Sequence, residues 1–219
     1  MPSLDELIEA FIELDEIRVL SLVEKLIVEV PPADILEACR RATVVIGERF
    51  EKGEYFLSEL VYAGEIFRRI MDIVLPRLRE EVKPVATIIL GTVEGDIHDI
   101  GKNIFKAFAE AAGFKVIDLG VDTSPDRFVE AVRRYNSEIV GMSGLLTIAI
   151  ESMRRVIEAL KQAGLRDRVK VIIGGGRVDE YARRYTGADE WADNAMLGVR
   201  KCKQMLGLKI CPDLDLLRS

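Results

Sequence analysis

The hydrophobic period of this 219-residue chain changes at about residue 83, and this change constrains the fold more than any other feature. Up to about residue 80, apolar residues recur only at the three- and four-residue spacing of helices. After Lys83-Pro84, short apolar runs alternate with helical segments. We therefore predict a helical domain over residues 1–83 and an α/β domain over residues 84–219.

Four helices with short connections are predicted in the first domain. Ser3 with Glu6 forms a capping-box pattern at the first helix, Pro31 and Pro32 separate the second helix from the third, and Pro76 disturbs the fourth. The predicted bounds are about 3–15, 17–30, 31–50 and 56–80. The apolar stripe of the second helix comprises Ile17, Leu20, Val23, Ile27 and Val30. Short connections favour a small antiparallel bundle.

Buried strands alternate with helices in the second domain. The predicted strands are 85–90, 115–120, 139–144, 170–176 and a weaker one at 190–192, and the predicted helices are 101–112, 124–135, 149–163 and 195–206. Strand–helix alternation with apolar strands is typical of a doubly wound parallel sheet. We predict five strands in flavodoxin-like order, with ligands bound beyond the carboxyl ends of the strands.

Charge and composition argue against several classes of protein. The net charge is −6 and the basic residues are scattered, which argues against nucleic-acid binding. No apolar run approaches the roughly 18 residues of a membrane span, and the acidic N-terminus lacks a charged-then-apolar leader. We therefore expect a cytoplasmic protein without a membrane partner. Cys39, Cys202 and Cys211 are too widely spaced for a disulfide framework or a zinc site, and we interpret them as thiols.

His98, the only histidine of the chain, follows the first predicted strand of the second domain. The loops after the first, third and fourth strands carry the sequences GTVEGDIHDIG, SGLLT and GGGR, and all three lie at the predicted ligand-binding edge. If the first loop is extended, Asp96 and His98 point to the same side. The carboxylate can then accept one ring N–H and leave the other nitrogen free.

This pair leaves two chemical interpretations open, a general base and a metal ligand. The cysteines have no metal-ligand spacing relative to His98, and a single imidazole is a poor structural metal site. One imidazole suffices when a macrocycle already supplies the equatorial ligands, as in haem or a corrinoid.

The residues of these loops resemble a cobalamin-binding pattern, D-x-H-x-x-G, then S-x-L, then G-G. The matching residues are Asp96, His98 and Gly101, then Ser143 and Leu145, then Gly174 and Gly175, with gaps of 41 residues (102–142) and 28 residues (146–173). The string VEGDIHDIGKN is also similar to corrinoid proteins of methyltransferase systems in methanogens and acetogens. The first domain resembles the helical cap of that family and of methionine synthase. The cap motif F-x-x-G-x-x-F-L-P appears as Phe50, Gly53, Phe56, Leu57 and Ser58.

The resemblance implies that a corrinoid binds with its own lower base displaced. His98 would bind cobalt, and Asp96 would hold the inner N–H. The nucleotide tail would thread into a channel kept open by glycine, beside Ser143, Leu145, Thr147, Gly174, Gly175 and Gly176. The first loop would skirt the lower face of the ring with Thr92, Gly95, Asp99, Ile100 and Gly101. The helical cap would cover the upper face, with an apolar lid formed by Phe50, Leu57 and Leu60.

Two positions depart from the pattern. Methionine synthase continues the aspartate–histidine pair to a serine six residues after the serine of S-x-L, and that position is Ala149 here. Asp96 is therefore expected to bond to water or backbone instead. Ser58 replaces the usual cap proline and can still cap the fourth helix.

The function that the resemblance implies is that of a methyl carrier. Such a protein accepts a methyl group on cobalt from a substrate-specific methyltransferase and presents it to a second methyltransferase, and a reductive activator protein is a further partner. The chain would be a carrier subunit and not a complete enzyme, with a hinge near Val82 to Pro84.

Two alternatives belong to other classes of protein. A cobalamin-sensing regulator would need a DNA-binding part, and no basic recognition helix is seen. A doubly wound domain that binds a nucleotide, with His98 as a base, is disfavoured because neither GxGxxG nor GxxxxGK[ST] occurs.

Overall fold

The computed structural model describes residues 2–77 and 84–208. In these ranges the helices are α1 (Leu4–Ile12), α2 (Glu16–Leu26), α3 (Pro32–Glu51), α4 (Leu57–Val74), α5 (Ile100–Ala111), α6 (Pro125–Tyr135), α7 (Thr147–Gln162), α8 (Glu180–Thr186) and α9 (Ala195–Met205). The strands are β1 (Thr87–Thr92), β2 (Lys115–Asp118), β3 (Ile139–Ser143), β4 (Lys170–Gly174) and β5 (Glu190–Ala192). The predicted hinge residues Val82 and Lys83, the predicted end of the fourth helix and Cys211 lie outside the described residues.

The first four helices pack around an apolar core. α1 contacts α2 and α3, and α4 contacts the same two helices. The predicted capping box of Ser3 and Glu6 is present at α1. The predicted apolar stripe of α2 is wrong at Ile17, which is exposed, because the buried residues of this helix are Val19, Val23 and Leu26 on its opposite side. Side chains buried in this core include Leu7, Phe11, Ile35, Ile46, Leu60, Ile66 and Ile70.

Tyr55 ties the turn between α3 and α4 to the end of α1. Its hydroxyl donates to the carbonyl oxygen of Ile12 (2.6 Å) and accepts from the Arg49 guanidinium (2.9 Å). The same guanidinium lies 5.3 Å from the centre of the Tyr55 ring and 3.7 Å from the Glu13 carboxylate. The turn that contains Phe56 is therefore fixed to the end of α1 through Tyr55.

We expect Tyr55→Phe to lower the free energy of unfolding by about 1 kcal/mol, because the ring stays in place while both hydrogen bonds are lost. Urea unfolding followed by circular dichroism measures the change. Tyr62→Phe is the matched control, since Tyr62 is exposed and its hydroxyl makes one hydrogen bond, to the Glu16 carboxylate (3.1 Å). Equal effects of the two substitutions would contradict the anchoring role of Tyr55.

The strands form one parallel sheet in the order β2-β1-β3-β4-β5, which is the predicted flavodoxin-like order. The registers place Leu90 of β1 opposite Gly141 of β3, and Gly141 opposite Ile172 of β4. Both faces of the sheet are buried. Val140, Val171 and other residues of one face pack with α6, α7 and α8, while the alternate residues of the same strands, such as Ile139, are buried on the other face. The predicted fold class is confirmed.

Several observed bounds differ from the predicted ones by a few residues, and two of the differences from the prediction have a visible structural cause. The sequence predicts the first strand at 85–90, but β1 extends to Thr92 because Gly91 lies inside the strand instead of ending it. A Cβ added at Gly91 would lie 2.8 Å from the Phe128 ring, so the glycine makes room for α6. The seven-residue helix α8 was not predicted, because its only buried residues, Ala182 and Thr186, are too few to produce an apolar period.

Contacts between Cα atoms divide the chain into two compact units. The first unit comprises Met1–Thr87 and Asn103–Val116, and the second comprises Ile88–Lys102 and Ile117–Ser219. The later turns of α5 thus belong to the first unit, where a Cβ added at Gly64 of α4 would lie 3.2 Å from Ala107. The domain boundary at residue 83 stays a prediction. Within the described ranges, no helix combines the length and apolarity needed to cross a membrane.

Candidate functional site

Three loops of the second unit lie side by side at the carboxyl edge of the sheet. They follow β1 (residues 93–99), β3 (144–146) and β4 (175–179). The N–H of Val93 donates to the carbonyl of Ser143 (3.0 Å), and the N–H of Gly144 donates to the carbonyl of Gly174 (3.1 Å). These bonds continue the pairing of the parallel strands by one residue. The first residues of the loops after β1 and β3 are therefore held by hydrogen bonds to the neighbouring strand ends.

Asp96 is the buried centre of this edge. Its side chain is 0% exposed, and its two oxygens face different loops. Oδ1 accepts from the backbone N–H of His98 (2.9 Å) and lies 2.8 Å from Nδ1 of the same residue. Oδ2 accepts from the backbone N–H groups of Leu145 (2.7 Å) and Leu146 (2.9 Å). Because position 149 is alanine, Asp96 was expected to bond to water or backbone. The donors to Oδ2 are backbone N–H groups.

These hydrogen bonds decide the charge of Asp96. Burial by itself raises the pKa of the carboxyl group, but the hydrogen bonds from Leu146, His98 and Leu145 outweigh burial and lower the pKa from 3.8 to about 2. The group is therefore a carboxylate at neutral pH. A carboxylate only accepts hydrogen bonds, so the ring proton of the Asp96–His98 contact lies on Nδ1.

His98 is held at one ring nitrogen and accessible over much of the ring. Its side chain is 48% exposed. With the proton on Nδ1, the lone pair lies on Nε2, which can bind a metal ion or accept a proton. The geometry confirms the predicted contact of Asp96 with His98 and leaves both chemical interpretations open.

Glycines of the third loop are required by its approach to the second loop. Gly175 has a φ of +128°, and a Cβ added there would lie 1.9 Å from the carbonyl oxygen of Gly144. A Cβ at Gly176 would lie 2.8 Å from Cδ1 of Leu145, and one at Gly174 would lie 3.3 Å from the carbonyl oxygen of Ala192. Close packing of protein against protein, and not an open channel, is thus the visible reason for these glycines.

The loop after β2 supports the first loop from its other side. The Asp122 carboxylate accepts from the N–H of Gly95 (2.7 Å), and the N–H of Asp122 donates to the carbonyl of Asp96 (3.0 Å). The N–H of Thr92 donates to the carbonyl of Gly120 (3.0 Å). Because Gly95 has a φ of +85°, the chain turns sharply just before Asp96.

Lys102 is a further charged residue that organises this edge. Its side chain is 3% exposed, and Nζ lies 2.8 Å from each oxygen of the Asp118 carboxylate. Asp118 also accepts from the N–H of Gly120 (2.9 Å). The ion pair thereby joins the start of α5, just after the loop that carries His98, to the end of β2.

The sequence prediction did not include Lys102, Asp118, Asp122, Gly144 or Leu146 among the site residues. Only Lys102 carries a visible signal, because a lysine in the first turn of a helix opposes the helix dipole and so indicates a specific partner. The amides of Leu145 and Leu146 have no sequence signal, since every residue except proline has a backbone N–H.

Large apolar side chains are exposed on the two loops that Asp96 joins and at the first residues of the helices that follow. They are Ile97, Ile100, Leu145, Leu146 and Ile148, with exposed fractions of 41–70%. Exposed apolar groups on neighbouring loops indicate a surface that binds a partner or ligand. Gly95 and Gly101 have open space at the position of an added Cβ. At the carboxyl edge of the sheet, Nε2 of His98 is therefore surrounded by exposed apolar side chains and by glycines with open space beside them.

This donor set suits a macrocycle-bound metal. In residues 2–77 and 84–208 no group of three or more His, Cys, Asp or Glu side chains is placed to hold a metal ion. A single imidazole with a carboxylate behind it fits a metal whose equatorial ligands come from a corrin ring. Cys39 and Cys202 are buried free thiols whose pKa values are raised to about 12 by desolvation, so neither is a thiolate ligand at neutral pH.

Most of the predicted site residues lie in the second unit. Its loops and strand ends bring together Thr92, Gly95, Asp96, His98, Asp99, Ser143, Leu145, Gly174, Gly175 and Gly176, while Ile100, Gly101 and Thr147 lie at the starts of α5 and α7. The predicted cap residues lie in the first unit. Leu57 is 53% exposed at the start of α4, Phe50 is half-buried near the end of α3, and Leu60 is buried in the helical core.

The predicted cap at Ser58 is wrong. Ser58 lies inside the first turn of α4, and its hydroxyl donates to the Glu59 carboxylate (2.9 Å). The same carboxylate accepts from the backbone N–H of Phe56 (2.9 Å). Glu59 therefore satisfies the free amide at this helix end, because its longer side chain can fold back over the first turn.

Comparison with protein-family models identifies the family of this chain. A B12 binding domain matches residues 86–200, and a second model, also a B12 binding domain, matches residues 3–75. A dimethylamine corrinoid protein of Methanosarcina acetivorans is 37% identical over 206 residues, which cover 93% of this chain and 95% of the relative. This chain belongs to the B12-binding corrinoid protein family. The resemblance is thereby confirmed, and the nucleotide-binding alternative loses its support.

Another relative and two solved structures match over most of the chain. A corrinoid protein of Desulfitobacterium hafniense is 38% identical over 94% of this chain and 99% of the relative. The crystal structure of a cobalamin-binding protein from the same species has a TM-score of 0.79 at 42% identity, covering 93% of this chain and 98% of that chain. A methanol:cobalamin methyltransferase complex of Methanosarcina barkeri has a TM-score of 0.82 and covers 98% of this chain and 83% of that chain. At 21% identity, this last match supports the fold alone.

Proposed function

We propose that this chain is a corrinoid-binding methyl carrier of a methyltransferase system. The observation that carries the proposal is the single imidazole of His98, fixed at Nδ1 by Asp96 and accessible at the carboxyl edge of a B12-binding domain. A bound corrinoid supplies the chemistry, because its cobalt takes up a methyl group and gives it to an acceptor. The residues of the chain would supply a ligand to cobalt, a binding site for the rest of the corrinoid, and surfaces that bind partner proteins.

In this proposal His98 is the lower axial ligand of cobalt and replaces the corrinoid's own base. Asp96 keeps the proton on Nδ1, which directs the lone pair of Nε2 to the metal and makes the ring a stronger donor. The low pKa of Asp96 supports this role, because a carboxylate that stays ionised cannot take the proton from the ring.

Residues around the His98 loop would seat the rest of the corrinoid. Thr92, Gly95, Asp99, Ile100 and Gly101 would line the lower face of the ring, where Ile100 offers an exposed apolar side chain and Gly101 leaves room. Ser143, Leu145, Thr147, Gly174, Gly175 and Gly176 would flank the nucleotide tail. The close packing of Gly175 on Gly144 supports a fixed seat, because neither loop can shift without the other.

The helical unit would supply the lid over the methyl group. Leu57 and Phe56 are well suited, since they are 53% and 68% exposed on a turn that Tyr55 anchors. Leu60 is part of the core of this unit, so it would support the lid from beneath. Phe50 is half-buried and remains a proposed member of the lid.

A carrier needs at least one methyltransferase partner. The relatives named for dimethylamine and trimethylamine indicate a methylamine methyltransferase as the first donor-side partner to test. We further propose a second methyltransferase on the acceptor side and a reductive activator protein that restores cobalt(I). A cytoplasmic location is part of the same proposal.

Transfer of a radioactive methyl group tests the carrier function. The chain is reconstituted with hydroxocobalamin, reduced, and incubated with labelled dimethylamine and a dimethylamine methyltransferase. We expect about one label per chain after desalting, and release of the label when a second methyltransferase and its acceptor are added. Methanol, methoxylated aromatics and betaines with their own methyltransferases form the other arms. A chain that binds cobalamin but takes no label in any arm would favour the sensor alternative.

A further inference from the structure

Asp96 is shared between His98 and the loop before α7. Oδ1 faces the imidazole, and Oδ2 accepts from Leu145 (2.7 Å) and Leu146 (2.9 Å). Leu146 is the N-cap residue of α7 and has no side chain that can cap this helix. The Asp96 carboxylate, from a different loop, accepts from the backbone N–H of this N-cap residue, the amide that the side chain at N3 satisfies in a capping box.

The loop that Asp96 holds is tightly fitted. A Cβ added at Gly144 would lie 2.4 Å from the Cβ of Ala149 and 3.5 Å from Oδ2 of Asp96. On its other side the carbonyl of Gly144 faces Gly175, as described above. The loop therefore has little freedom to move independently of the carboxylate, and a displacement at Leu146 would be passed to Asp96.

We infer that Asp96 mechanically couples the seat of the nucleotide tail to the histidine ligand. Residues 145–147 flank the proposed tail site, and their amides fix the carboxylate that orients the imidazole. Leu146, through its backbone N–H, is a positioning residue for His98. A corrinoid with a nucleotide tail would therefore be ligated by His98 more firmly than one without it. This inference rests on the proposed function, since it presupposes that His98 binds cobalt.

Leu146→Pro tests the coupling because it removes one donor and places Cδ of its ring against Oδ2 of Asp96, so that the carboxylate and the loop can no longer stay in contact. The φ of Leu146 is −77°, which proline adopts without strain, and its side chain is 41% exposed. Leu146→Ala is the matched control, since it removes the side chain and keeps the N–H. The dissociation constant for cobalamin is measured for both variants, each with His98 and with His98→Ala.

With His98 present, we expect Leu146→Pro to bind cobalamin about tenfold more weakly than Leu146→Ala, as is typical when the outer partner of a metal ligand is disturbed. With His98→Ala, the gap should shrink to less than about twofold, because the amide acts through Asp96 on the imidazole. A tenfold gap that persists with His98→Ala would mean that the loop serves the tail alone, and the coupling would be refuted. Equal affinities in both backgrounds would refute it too.

A second measurement needs no change at Leu146. Cobinamide has no nucleotide tail, so an effect on the loop that is present in the wild type and absent in His98→Ala passes through His98 and Asp96. We expect the amide NMR signals of Leu145 and Leu146 to shift when cobalt(III) cobinamide binds to the wild type. Unchanged signals in the bound state would overturn the inference. Failure of the wild type to bind any corrinoid, or identical affinities of wild type and His98→Ala, would instead refute the proposed function.

Discussion

Gly175→Ala should destabilise the second unit by about 4 kcal/mol or more and abolish cobalamin binding. The added Cβ would lie 1.9 Å from the backbone oxygen of Gly144, and a backbone atom cannot rotate away as a side chain can. Relief requires the two loops to separate, which also displaces Leu145 and Leu146 from Asp96. Urea unfolding of the corrinoid-free chain and a binding titration with hydroxocobalamin measure the two effects.

Alanine substitutions at two other glycines serve as controls. They distinguish the steric clash of a Cβ at position 175 from the cost of a positive φ. Gly164 has a φ of +69° and open space at its Cβ position, so Gly164→Ala should cost only about 1–2 kcal/mol. At Gly176 the nearest atom to an added Cβ is Cδ1 of Leu145, the end of a partly exposed side chain that can move. Gly176→Ala should therefore be mild in stability. If Gly175→Ala were no worse than Gly164→Ala, the close packing of the two loops would be wrong.

Asp96→Asn should lower the free energy of unfolding at pH 7 by about 3 kcal/mol. The amide group of asparagine has one accepting oxygen, so its NH2 must face either the donors of His98 or the N–H groups of Leu145 and Leu146. Buried donors left without an acceptor cost about 1–3 kcal/mol each. Asp122→Asn is the control, since Asp122 is exposed and its asparagine can still accept from Gly95. Comparable losses in the two variants would contradict the central role of Asp96.

The same residue should give a defined acid dependence of stability. The pKa of Asp96 is about 2 in the folded chain against the ordinary value of 3.8 expected in the unfolded chain, so the carboxylate contributes about 2 kcal/mol at pH values above about 4. This contribution is lost as the pH falls from about 4 through 2. The difference in stability between wild type and Asp96→Asn, followed from pH 6 to pH 2, isolates it from the other carboxylates. A difference that stays constant over this range would show that the pKa is not lowered.

The fold followed from sequence because strand–helix alternation determines a parallel sheet, and the chain gave that alternation clearly. The errors in the predicted strand bounds arise from tertiary packing. Gly91 resembles the end of a strand, yet it lies within β1 because the ring of Phe128 packs on it from α6. The position of Phe128 depends on the tertiary structure, so no local pattern predicts it.

The site was predictable where side-chain identity carries the chemistry. Asp96 and His98 lie two residues apart in a loop, and their contact follows from that spacing. The second half of the Asp96 environment could not be predicted, since it consists of backbone N–H groups from a loop 49 and 50 residues away. The glycines at 174–176 were identified correctly as special positions, but the reason seen in the structure is contact between loops.

The most direct test of the account is electron paramagnetic resonance of the cobalt(II) form with isotopically labelled histidine. His98 is the only histidine of the chain, so growth on 15N-histidine, without an affinity tag, labels a single imidazole. The chain is reconstituted with cobalamin whose own base carries 14N. If Nε2 of His98 is the lower ligand, the superhyperfine splitting changes from three lines with 14N-histidine to two lines with 15N-histidine. A three-line pattern that persists with the labelled chain would show that the corrinoid keeps its own base, and His98 would not be the ligand.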